Sequence, residues 1–85
     1  MPKTGRSPSQ LIFLSKLIAA RKASGLTQKD LADRLRKTQG FVSSIETGLR
    51  RVDVIEFCAI AHAIGIEPIK LFGEIAADLP LAIEI

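Results

Sequence analysis

Residues 26–48 read LTQKDLADRLRKTQGFVSSIETG, and capping signals followed by apolar spacing occur twice within them. Thr27 with Asp30 three residues later has the pattern of a helix N-cap, and Leu31 and Leu35 then stand four apart on one face. The spacing predicts a helix over 28–36. Thr38 caps a second, in which Val42 and Ile45 lie three apart and face inward. Gln39, Gly40, Ser43, Ser44 and Thr47 share the opposite face, and Gly48 ends the helix. Two short helices joined by little more than Lys37 set the architecture of the chain.

On the N-terminal side, Ser7 as N-cap, Pro8 at the first helical position and Gln10 completing a capping box open a helix that runs to about 24 and stops at Gly25. On the C-terminal side the Leu49-Arg50-Arg51 loop leads to a second capping box, Asp53 with Glu56. Val54, Phe57, Ile60, Ala61 and Ile64 mark the buried stripe of the helix that follows, closed by Gly65. Pro68 opens a fifth helix over 68–77, with Leu71 and Phe72 expected to face inward. Residues 1–6 read as a mobile basic arm, 7–79 as one compact all-α domain, and 80–85 as an apolar tail set off by Pro80.

The chain of 85 residues suits one domain, which at this length buries roughly 60–65% of its unfolded surface. A hydrophobic content of 47% against 25% charged excludes disorder, and four Phe with no Trp or Tyr leave the core to aliphatic side chains that suit helix packing. The net charge of +3 is unevenly placed. Residues 1–52 carry eleven Lys/Arg against three Asp/Glu, a balance of +8, while 53–85 carry one Lys against six Asp/Glu, a balance of −5. Only the first part can neutralise phosphates. One cysteine, Cys58, allows no internal disulfide and no ordinary cysteine-based zinc site, pointing to the cytoplasm. No apolar run reaches the roughly 18–20 residues that span a bilayer, so no membrane partner is expected.

The two short helices have the length pattern of a helix-turn-helix. Thr27-Gln28, Leu31-Ala32, Thr38-Gln39 and Ile45-Glu46-Thr47-Gly48 together resemble the Cro/CI-like, Xre-type DNA-binding family, and the likeness extends through 60–65 and Leu71-Phe72. The resemblance implies a five-helix, lambda-repressor-like domain with its helix-turn-helix at the second and third helices. Two departures stand out. The turn usually holds a glycine where this chain has Arg36, which in the left-handed conformation would cost about 1 kcal/mol. The usual apolar residue that follows is Lys37, so either the turn is looser or both basic side chains lie over the DNA backbone.

One helix fits the major groove of B-DNA, and short polar side chains on its outer face reach base edges. Gln39 is the expected principal reader, since its amide can pair with adenine N7 and N6 together. Gly40 permits close approach, and Ser43 and Ser44 offer further base contacts. Gln28 stands at the positive end of the 28–36 helix and suits a phosphate, a role the resemblance also implies. Lys29, Lys37, Thr38, Arg50 and Arg51 complete the expected phosphate contacts. Arg21 and Glu46 match family positions that form an ion pair behind the third helix.

Without the flanking matches, the polar face would read as merely solvated, Arg50-Arg51 as an exposed loop, His62 as a boundary residue and Cys58 as a small hydrophobe. No catalytic constellation, cofactor or metal site is visible in the sequence, and no enzyme is expected. The first helix carries one apolar stripe of Phe13, Leu17 and Ala20 and a second of Leu11, Leu14 and Ile18, more than a small monomer can cover. The tail covers the second in cis, or a second subunit does so in trans. A homodimer through Leu71, Leu81, Ile83 and Ile85, with the tail pairing as a short strand, is the expected assembly on a pseudo-palindromic double-stranded DNA operator. The whole reads as a stand-alone cytoplasmic, nucleoid-associated regulator acting by occupancy, a repressor or controller protein. The alternatives are an antitoxin with a toxin partner and an interaction module without DNA binding.

Overall fold

The structure, a computed structural model, describes residues 7–83; the arm at 1–6 and the last two residues, with Ile85, lie outside the described residues. Five helices follow one another: α1 (Pro8–Ala23), α2 (Gln28–Leu35), α3 (Gln39–Glu46), α4 (Val54–Ile64) and α5 (Pro68–Asp78). α2 packs on both α3 and α4, α1 packs on α3 and α5, and α4 meets α5. Their shared centre is Leu14, Leu17, Leu31, Ala32, Val42, Ile45, Phe57, Ile60, Ala61, Ile64, Leu71 and Ile75. The all-α five-helix architecture expected from the sequence is the one observed.

Local chemistry sets the helix ends. The Ser7, Thr27, Thr38 and Asp53 side chains each accept a hydrogen bond from the backbone N–H three residues on, and at Thr27 and Asp53 the reciprocal half is also made. At Ser7 it is not: only the Gln10 N–H bond to the hydroxyl forms, so the box expected there is half complete. α1, α2, α3 and α4 share one ending, in which a residue with positive φ is followed by an N–H that returns five residues. Gly25, Gly48 and Gly65 occupy that position in three of them, and Arg36 at φ 57° and ψ 42° occupies it in the fourth. The turn is not loosened by this. The Lys37 N–H reaches the Ala32 carbonyl at 2.9 Å, so α2 and α3 meet through a closed backbone turn.

Three apolar expectations change. Val54 is 76% exposed, because it is the first residue of α4 and the buried stripe begins a turn later at Phe57. On α5 Phe72 is 59% exposed while Ile75 joins Leu71 inside, the four-residue spacing having prevailed over the adjacent pair. On α1 Leu14 lies in the core and Phe13 and Ala20 only pack against it, since α3 and α5 together cover a broad face of that helix. Leu71, expected at a dimer interface, is 1% exposed and so belongs to the monomer's own core. The tail residues 80–83 form no strand, and Leu81 stands fully in solvent. Ile83 turns back to line a groove with Phe13, Val52, Phe72 and Leu79.

The α2 cap carries a pH dependence. The Asp30 carboxyl is held below its ordinary 3.8, chiefly by the Thr27 backbone N–H, then by the Thr27 hydroxyl, with Arg34 and Lys29 adding weakly. A folded value below the unfolded one means that the carboxylate's contribution is complete above about pH 3.8 and fades as pH falls. Asp30→Asn should therefore flatten the acid limb of a Tm against pH profile. An unaltered limb would mean that the charge adds nothing to the cap.

Candidate nucleic-acid interface

α3 is a two-faced helix. Val42 and Ile45 are buried, whereas Gln39 and Gly40 are exposed and Ser43 is half-buried. A Cβ added to Gly40 would meet only the Thr38 hydroxyl, at 3.8 Å, an ordinary contact, so the protein's own packing does not call for glycine there.

A buried polar network fixes the helix from behind. The Arg21 Nε and Nη2 groups donate to the two Glu46 carboxylate oxygens at 2.7 and 3.0 Å, and Nη1 donates to the Leu26 carbonyl at 2.8 Å. The two side chains are 8% and 7% exposed, which makes this a buried bidentate pair joining α1 to the last residue of α3. The Gln28 amide also donates to Glu46, at 3.0 Å. Gln28 is thus tied to the network through one hydrogen of its amide nitrogen, which leaves the second hydrogen of that nitrogen and the free backbone amides at the start of α2 as the donors a phosphate would meet.

Other expected contacts already have protein partners. Ser44 donates its hydroxyl to the Phe41 carbonyl at 2.8 Å and is half-buried, so it is a weaker base reader than its place on the face suggested. Lys29 pairs with Asp33 at 3.3 Å across one exposed turn, a contact that a phosphate can displace at little cost. Arg50 pairs with Glu56 and lies over the Phe41 ring, 4.9 Å from its centroid, while Lys37 Nζ approaches the same ring at 5.5 Å. Thr38 is exposed and keeps its hydroxyl proton while capping α3. Arg51 is exposed beside Arg50. Gln39, Gly40, Ser43, Thr38 and the Lys37–Arg50 pair therefore belong to α3 and its immediate flanks, with Gln28 and Lys29 on the neighbouring helix end.

Two participants were not anticipated. Phe41 was a residue without a role, because Lys37 lies in the turn before the α3 cap and no helical spacing ties the two together. Glu56 was assigned only to its cap, which it forms with one oxygen while holding Arg50 with the other. Nothing in local spacing reveals that six-residue loop contact. Among the described residues no group of His, Cys, Asp and Glu is arranged to hold a metal ion, and no helix is long and apolar enough to cross a membrane.

Comparison with known proteins agrees with this arrangement. Residues 17–71, from the middle of α1 into α5, match the helix-turn-helix family. Among solved structures, an XRE-family like protein from Pseudomonas syringae pv. tomato is 44% identical, covering 82% of this chain and 85% of that one at a TM-score of 0.77. The clp gene regulator ClgR from C. glutamicum superposes on 91% of this chain and 100% of its own at a TM-score of 0.75, and at 23% identity that likeness is one of fold. No curated protein matches the sequence.

Proposed function

Since the chain belongs to the XRE-type helix-turn-helix family of DNA-binding transcription regulators, we propose that it is a cytoplasmic repressor or controller that recognises a pseudo-palindromic double-stranded operator as a homodimer and acts by occupying it. The observation that carries this reading is α3 itself. Its apolar side is buried, its outer side is a short polar face of Gln39, Gly40 and Ser43, and a buried ion pair holds it in place. Gln39 reads a base, Ser43 serves a base or a phosphate, and Ser44 adds a weaker contact through its acceptor lone pairs. Gln28, Lys29, Lys37, Thr38, Arg50 and Arg51 meet the backbone on either side.

The dimer rests on apolar surface that the monomer leaves in water. Phe72, Leu81 and Ile83 remain exposed at the α5 end of the molecule. Phe72 replaces Leu71 as an α5 residue able to meet a second copy. Two copies joined there would present their α3 helices to half-sites about 34 Å apart.

Selection of duplexes from a random pool, followed by titration across a salt series, tests the reading. Affinity should fall steeply with salt, and Gln39→Ala should lose about 1–3 kcal/mol of discrimination at one base pair per half-site. Arg51→Ala should instead weaken all duplexes alike and lower the salt slope by about one. An unchanged preferred site in Gln39→Ala would reassign the reader.

A further inference from the structure

Both ends of α3 send a cation to the same ring. Lys37 is pinned at its backbone by the bond from its N–H to the Ala32 carbonyl, and its Nζ lies 5.5 Å from the Phe41 centroid. The loop after α3 turns back so that the N–H groups of Leu49 and Arg50 both reach the Ser44 carbonyl, at 2.9 and 3.1 Å. That turn delivers the Arg50 guanidinium to 4.9 Å from the same centroid, where Glu56 holds it from the α4 side. Phe41 is half-buried, packed against the core, so its ring is a fixed surface rather than a swinging one. Two like charges beside one ring repel each other. The ring's negative face and the Glu56 carboxylate paired with Arg50 offset part of that cost, and a phosphate that displaces Glu56 would take over its share.

We propose that Phe41 is a positioning residue for DNA binding: its ring gathers Lys37 and Arg50, from opposite ends of α3, into one cationic site for backbone phosphate, and so sets the seating of Gln39 in the groove. This rests on the DNA-binding reading above. The ring reads no base; it determines where the two cations wait. Because both backbone positions are fixed by hydrogen bonds and Glu56 fixes the guanidinium, the site is formed before DNA arrives, and binding need not order two long side chains.

Fluorescence anisotropy with a duplex selected by the unaltered full-length chain tests this, across a salt series and with thermal melts alongside. Phe41→Leu should weaken binding about five-fold, the scale of two exposed cation–π contacts. Pentafluorophenylalanine at position 41 keeps the ring's shape and reverses its charge distribution, so it should weaken binding similarly without lowering Tm. In a Lys37→Gln/Arg50→Gln background neither change should weaken binding further. Equal losses in both backgrounds, or a pentafluorophenylalanine chain that binds as tightly as the unaltered one, would overturn the proposal while leaving DNA binding intact. If the unaltered chain selects no duplex and shows no salt-dependent binding, the DNA-binding reading fails, and the role of Phe41 fails with it.

Discussion

Replacing Glu46 with alanine is expected to remove about 3–5 kcal/mol of folding stability, the usual result of leaving one member of a buried pair uncompensated. A chain of 85 residues has in total only about 4–13 kcal/mol, so the loss takes from roughly a quarter to all of the stability. The size of the effect follows from what is stranded. Arg21 keeps its bond to the Leu26 carbonyl but loses both acceptors for Nε and Nη2, and the Gln28 amide loses the carboxylate it donates to. Urea and thermal unfolding measure this directly. A loss below about 1 kcal/mol would place the pair among solvated surface contacts.

A compensating exchange separates stability from function. Arg21→Met combined with Glu46→Leu fills the same space with apolar groups, and buried pairs replaced in this way often regain most of the lost stability. DNA affinity should not return with it. Gln28 would have no carboxylate to hold its amide at the start of α2, and the end of α3 would be located by packing alone rather than by three directed bonds. Recovery of both properties would mean that the pair serves the fold only.

The features legible in the sequence are those whose cause spans four residues or fewer. Thr27 with Asp30 and Asp53 with Glu56 form the boxes their spacing announces, and Thr38 caps α3 as expected. Gly25 and Gly65 take the positive φ that ends α1 and α4. Arg21 and Glu46 are 25 residues apart, and no local rule joins them; family resemblance did so, and the bidentate geometry bears it out. What stayed hidden depends on how finished helices rest on one another. The rotation of α5 over α1 and α4 decides that Leu71 and Ile75 turn inward and Phe72 outward, and that rotation is a property of three helices together. The partners of Phe41 are hidden for the same reason. Lys37 arrives from the α2–α3 turn and Arg50 from a loop that folds back on Ser44.

Leu71 and Phe72 are neighbours in sequence, yet their truncation should have different consequences in kind. Leu71→Ala empties a site at the centre of the core and is expected to cost about 2–5 kcal/mol, the same at every protein concentration. Phe72→Ala removes a largely exposed ring whose aromatic contact within the monomer is an edge-on approach to Phe57 at 6.2 Å, worth about 0.5–1.5 kcal/mol, so the monomer fold should persist. If Phe72 anchors the dimer, its truncation should raise the dimer dissociation constant about 10- to 100-fold, the range of an aromatic hot spot. It should also abolish any dependence of Tm on protein concentration, because linked assembly is what produces one. Sedimentation equilibrium of the full chain beside both variants distinguishes the two cases. If Phe72→Ala sediments as the unaltered protein does, the apolar surface at the α5 end plays no part in pairing. The two recognition helices of a palindromic site must then be joined through another face, and the spacing of the half-sites would shift with it.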